Sequence, residues 1–285
     1  MAQLPAGHDP LIPPARPRAA PSARMPLSFL RRLGARLASG RPPAPVADTD
    51  WDALLRTNPF VAALDAGRQA RLRELAARFL ADKAITPVDG FALDPLQRLT
   101  LASLCCLPVL ECGYPQLAGW SQVVVYPAAF RVNRQQHDDA TGVLTEWEDE
   151  LAGEAWSDGP LILSWADIEG DLADPGGGFC VAVHEIAHKL DLRDGVLDGT
   201  PLLPRDWQRA WARDFQAAFD AFAARVDAGE ETPLDPYAAE APEEFFAVAS
   251  EYHFSAPDLL AAEMPAVAAH LRRFYGDSPM AARPA

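Results

Sequence analysis

Apolar residues recur at three- and four-residue spacing over several stretches of the chain, and that period predicts helices. Residues 67–83 line up Leu72, Leu75, Ala76, Phe79 and Leu80. Residues 204–226 do the same with Trp207, Trp211, Phe215, Phe219 and Phe222. Such stripes are core faces. The stretch 99–110 is almost continuously apolar, interrupted by Thr100, Ser103 and Pro108. It is too short and too polar for a membrane span of about 20 residues, so it predicts a buried helix. A fourth helix starts near Phe179, after Pro175-Gly176-Gly177-Gly178, and carries Val183, Ile186, Ala187 and Leu190 on one face. A fifth has Pro242 in its first turn and Phe245, Val248, Ala249 and Tyr252 on its apolar face. Residues 123–126 and 161–165 are short apolar runs that predict strands. The class is therefore α+β, mainly helical, with a small sheet beside the helix that starts at Phe179. No internal repeat is visible.

That helix carries His184-Glu185-Ile186-Ala187-His188. Four residues are just over one helical turn, so His184 and His188 stand one above the other and can offer two imidazole nitrogens to one zinc ion. Glu185 then sits beside the metal's water as a general base. The competing reading is a pair of solvent-facing or core-satisfied histidines. Against it stands the cost of several kcal/mol for burying two histidines and a glutamate with no shared partner.

A catalytic zinc takes three protein ligands and keeps a fourth position open. The helix after Pro242 offers Glu244 and Glu251, seven residues or two turns apart, both bordering its buried face. Glu243 points elsewhere and suits the helix dipole. Ligand histidines also need an acceptor for their second ring proton. Asp191, three residues after His188, is one candidate, with Asp194 and Glu251 behind it. Asp191 equally suits a helix-ending turn.

Several segments together resemble the Mlc titration factor A family of bacterial zinc-dependent peptidases, over about residues 51 to 278. They are the run from His184 to Asp191, the segment from Tyr237 through Ser250-Glu251-Tyr252, and Phe254-Ser255-Ala256-Pro257. Gly90-Phe91-Ala92-Leu93-Asp94, Leu107-Pro108-Val109-Leu110-Glu111, Val125-Tyr126-Pro127-Ala128-Ala129-Phe130 and Gly159-Pro160-Leu161-Ile162-Leu163-Ser164-Trp165 extend the likeness. The resemblance implies a zincin-like, gluzincin-related core with one zinc per chain. It puts the ligands on His184, His188 and Glu244, the catalytic glutamate on Glu185 and the catalytic tyrosine on Tyr237. It also implies a cytoplasmic peptidase of aminopeptidase type with peptide substrates, and a transcriptional repressor of the Mlc type as partner. Geometry agrees on Glu244. Two turns separate it from Glu251 by about 10 Å, so only one can reach the metal, and Glu244 lies next to the loop carrying Tyr237.

The chemistry expected of this set needs no covalent intermediate. Zinc brings its water toward a neutral pKa, and Glu185 takes the proton and passes it to the leaving amine. Tyr237 can hydrogen-bond the oxygen on which charge develops, although without the resemblance it reads as an ordinary loop tyrosine. The strand at 161–165 is either a platform for a peptide substrate or an internal strand. A second function of another class is a repressor-sequestering binding protein with structural zinc. Glu185 favours the enzyme, because structural sites close their shell and need no general base.

Composition changes the picture at the ends. Residues 1–48 hold ten of the 27 prolines, seven arginines and two acidic residues, which predicts a disordered tail preceding a peptidase domain at 49–285. Of 25 basic and 40 acidic residues, the remainder keeps 18 and 38, a net charge of about −20. Such a surface excludes direct nucleic-acid binding. Arg31-Arg32 has a twin-arginine look, but no apolar run follows, so no secretory signal and no stable membrane insertion are expected. Residues 25–38 could form a basic surface-binding helix, and Met25 could be the true start. Cys105, Cys106, Cys112 and Cys180 show no paired spacing and predict reduced, buried thiols.

Overall fold

The computed structural model describes residues 43–127 and 159–281. The described residues belong to one compact unit. Most of the expected tail, the possible basic helix at 25–38, and residues 128–130 of the family likeness lie outside the described residues. Residues 43–47 run as coil, with Val46 packed on the core and its carbonyl accepting from Arg73 Nε at 3.2 Å.

The described residues begin, after the coil, with three helices: α1 (Asp48–Thr57), the single turn α2 (Pro59–Ala62) and α3 (Ala66–Asp82). Asp65 starts α3 by accepting the Arg68 N–H at 2.9 Å. Strand β1 (Ala84–Pro87) follows, then α4 (Pro95–Cys106). Asp94 and Gln97 close a reciprocal cap on α4, each side chain accepting the other's backbone N–H at 2.8 Å. From Leu99 to Cys106 every residue of α4 is buried, as the apolar run predicts.

The sheet is parallel throughout, in the order β1-β2-β3, with β2 at Gln122–Tyr126 and β3 at Leu161–Ser164. Val123 and Val125 of β2 stand opposite Leu161 and Leu163 of β3, and all four are buried. β1 is absent from the sequence reading because Ala84-Ile85-Thr86-Pro87 is short and half-buried throughout, which leaves no alternation to detect. Among the described residues β3 lies at the edge of the sheet. It ends one residue earlier than expected: the Ser164 hydroxyl accepts the Asp167 N–H at 3.2 Å and caps α5 (Trp165–Ala173), so Trp165 is helical.

The second half is α6 (Val181–Asp191), α7 (Arg205–Asp227), α8 (Pro242–Ser255), α9 (Pro257–Glu263) and α10 (Pro265–Tyr275). α6 packs against α4, β3 and, most extensively, α8. The expectation of a single apolar face on α8 needs correction: from Phe245 to Ser255 the helix is buried on every side. Rings close one flank, with Trp211 stacked on Phe215 at 4.0 Å and edge-on to Phe246 at 5.7 Å. The cysteines are free, and burial pushes the thiols of Cys105, Cys106 and Cys180 up, keeping them protonated. No helix among the described residues is long and apolar enough to cross a membrane.

Candidate metal centre

α6 starts two residues later than its apolar pattern suggests, at Val181 rather than Phe179. Two buried carboxylates fix that start. Glu251 Oε2 accepts the Cys180 N–H at 2.7 Å, and Asp171 Oδ2 accepts the Val181 N–H at 2.7 Å. The amides at a helix start lack intrahelical partners, and acids satisfy them while favouring the positive end of the dipole. Gly178, just upstream, has φ of +90° and lies against the Tyr252 ring, which a β-carbon would approach to 2.5 Å. Only glycine fits there.

One turn into α6, His184 Nε2 and His188 Nε2 lie 3.1 Å apart, their rings edge-on with centroids at 4.8 Å. α8 brings Glu244 to the same point, with Oε2 3.1 Å from His184 Nε2 and Oε1 3.5 Å from His188 Nε2. The three residues can offer one ligand atom each, all within 4.8 Å of one another. Glu251, two turns further along α8 and buried, holds His184 Nδ1 at 2.7 Å from its Oε1. With the Nδ1 proton committed to Glu251, the neutral His184 ring has its lone pair on Nε2, facing the cluster.

Burial works against a charge on His184, but the Glu251 charge and the nearby Glu244 carboxylate outweigh it and push its pKa up to about 10. Burial likewise opposes ionisation of Glu244, and the two histidines reverse that and hold it well below the usual carboxylate range. The pocket is built for positive charge. Two observations test the fit of a metal. Glu244 Oε2 is buried with no well-aligned hydrogen bond among the described residues although His184 Nε2 lies 3.1 Å away, and two Nε2 atoms in contact can share only one proton. A divalent cation satisfies all three atoms at once, and a two-nitrogen, one-oxygen set suits a first-row metal.

Glu185 is half-buried on α6, and its charge reaches Cys105, where it helps raise the thiol. Tyr237 is half-buried in a 3-10 turn, Pro236–Ala239, whose first N–H, that of Tyr237 itself, donates to Asp235 Oδ1 at 3.0 Å. Its ring centroid is 6.2 Å from that of His184. Glu243, the neighbour of Glu244, is absent from the cluster.

The structure corrects two candidates for the ring-proton acceptor. Asp191 is fully buried and turns away from the histidines: Oδ2 accepts the Gly199 N–H at 2.7 Å and Oδ1 the Thr200 N–H at 2.9 Å. Burial raises its pKa to about 6 despite those bonds. Asp194 is exposed and accepts the Val196 N–H at 3.1 Å. Both serve the turn that follows α6, as short acids after a helix often do. Asp171 and Gly178 escape the sequence reading altogether. The only hint was the Gly176-Gly177-Gly178 run, which reads equally as a linker.

Comparison with known proteins bears on this geometry. A family model described as "Glucose-regulated metallo-peptidase M90" matches residues 35–276. The chain is 42% identical over 240 residues to Mlc titration factor A of Enterobacter sp. (strain 638), covering 83% of this chain and 89% of that protein. It is 42% identical over 233 residues to Mlc titration factor A of Escherichia fergusonii, with 81% and 86% covered. The protein of the same name from Klebsiella pneumoniae subsp. pneumoniae is 40% identical over 240 residues, with 83% and 89% covered.

Proposed function

The chain belongs to the glucose-regulated metallopeptidase family M90, and from that premise we propose that it is a zinc-dependent peptidase of aminopeptidase type, acting in the cytoplasm. One observation carries the reading: His184 Nε2, His188 Nε2 and the Glu244 carboxylate converge while Glu251 keeps the proton on His184 Nδ1. The domain responsible is residues 49–285.

His184, His188 and Glu244 would hold the zinc ion, which when bound would supply Lewis acidity toward a water and the substrate carbonyl. Glu185 takes the proton as the water oxygen bonds to the carbonyl carbon, then gives it to the amine as the carbon–nitrogen bond breaks. Tyr237 donates its phenolic hydrogen to the carbonyl oxygen as charge develops there. Glu251 fixes the tautomer and ring orientation of His184 throughout. Glu185 favours this over a purely structural metal.

The relatives' name supports a second, compatible role: binding of a transcriptional repressor of the Mlc type. The experiment that decides the enzymatic reading is metal analysis of the purified chain with a peptide-substrate screen of wild type and Glu185→Gln. The variant is expected to keep one zinc and lose at least about a hundredfold in turnover. Undiminished hydrolysis by the zinc-loaded variant refutes the mechanism, and repressor binding that survives in it shows that the two roles are separable.

A further inference from the structure

Asp191 ends the helix that carries both histidines, and its two oxygens are spent on Gly199 and Thr200. Gly199 is a junction. Its N–H goes to Asp191 on α6, and its carbonyl accepts Trp211 Nε1 of α7 at 3.2 Å. Its α-carbon faces the first residue of α8, so that a β-carbon would come within 2.9 Å of the Pro242 carbonyl carbon and still nearer its oxygen. With φ of +79°, the position is closed to other residues on two grounds. Pro242 is two residues before Glu244.

Resting on the metal-centre reading above, we propose that Asp191 is a positioning residue: through Gly199 it seats the first turn of α8, and so Glu244, against the two histidines of α6. The route is a short series of contacts. Asp191 fixes the Gly199 backbone to the end of α6, Trp211 prevents that backbone from turning, and Gly199 abuts Pro242. α8 is anchored at its far end by Glu251 on Cys180 and His184, so its N-terminal turn is the part that the latch controls. Asparagine at 191 keeps the volume but offers one acceptor where two N–H groups point; the Thr200 N–H has a second acceptor in Asp198 Oδ1 at 3.0 Å, so the bond exposed to loss is that of the Gly199 N–H.

The test uses the full chain, with zinc affinity from chelator competition and amide exchange of the metal-free protein. Asp191→Asn is expected to weaken zinc binding about tenfold, the scale of an outer-shell change. In a Glu244→Ala background, where only the weak residual zinc binding of His184 and His188 is left to measure, the same substitution should change that residual affinity less than twofold, because its path runs through Glu244. Exchange at Phe245, Phe246 and Ala247 should quicken at least tenfold in metal-free Asp191→Asn while α4 is unaltered. Gly199→Ala approaches the same contact from the other side and must give the same pattern, which keeps the test intact if Asp191→Asn fails to fold. Equal loss of zinc in both backgrounds, or unchanged exchange in α8, overturns the proposal. A wild type that binds zinc but cleaves no peptide refutes the peptidase reading alone. A wild type without zinc affinity refutes the metal reading, and the exchange result then decides the latch.

Discussion

Glu251 serves His184 twice: one oxygen holds the Nδ1 of its ring, and the other holds the Cys180 N–H from which its helix starts, both at 2.7 Å. Ring orientation and helix position are therefore set by the same carboxylate. Glu251→Gln keeps a carbonyl oxygen for one of these donors and puts an amide NH₂ before the other. The expected outcome is a folded protein that retains most of its metal, with affinity or turnover about ten- to a hundredfold lower. Zinc competition on both proteins reads this directly, and an unchanged affinity would remove Glu251 from the centre.

Glu244→Ala is expected to behave differently. It deletes one of three converging ligand atoms, so tight zinc binding and hydrolysis should disappear together, leaving only the weak affinity of the two histidines. Retention of stoichiometric zinc after gel filtration, with Glu251→Gln losing it instead, would reverse the roles of the two glutamates.

Tyr237→Phe removes only a hydroxyl from a half-buried ring near His184. Fold and metal content should persist, and kcat should fall more than KM rises, since a hydrogen bond to developing charge matters mainly in the transition state. A rise in KM with kcat intact would make Tyr237 a substrate-binding residue.

His253 predicts the acid limit of the fold. It is buried on α8 against Phe254 and Tyr275, and burial, outweighing the Gly276 backbone and the Asp277 charge, lowers its pKa to about 4. The folded chain thus binds this proton less readily than the unfolded chain, whose histidine titrates near 6.5. Its contribution is complete above pH 6.5 and is lost as the pH falls toward 4, up to about 3 kcal/mol. Urea midpoints of wild type and His253→Phe at pH 4.5 and 7 should diverge, with the variant less sensitive to acid. Identical pH dependence would show that other groups set the limit.

What the sequence disclosed depends on the range of each interaction. His184, Glu185 and His188 lie within one turn, so their spacing carries the geometry. The buried run of α4 and the aromatic stripe of α7 were legible for the same reason, because local period reports the face that meets the core. Glu244 needed both the family likeness and the argument from axial rise. The bonds of Asp191 to Gly199 and of Asp171 to Val181 were invisible, because both acids are close in sequence to several donors and no period says which one the fold delivers. Asp191 looked like an acceptor for a ring proton for that reason, and it accepts loop amides instead. The all-round burial of α8 was hidden as well. The expected face held Phe245, Val248, Ala249 and Tyr252 with Glu251 at its border, yet Ser250, His253 and Ser255 are buried as well.

That burial constrains how proteins built on this plan can diverge. A helix enclosed on every side from Phe245 to Ser255 accepts little change, and it carries or adjoins two of the carboxylates on which the centre depends. Freedom lies at the exposed side chains of the segment after α6, Val196, Leu197 and Leu202, on either side of Gly199, whose own position is closed. Proteins that share this plan could exchange those exposed side chains while the three converging ligand side chains stayed the same.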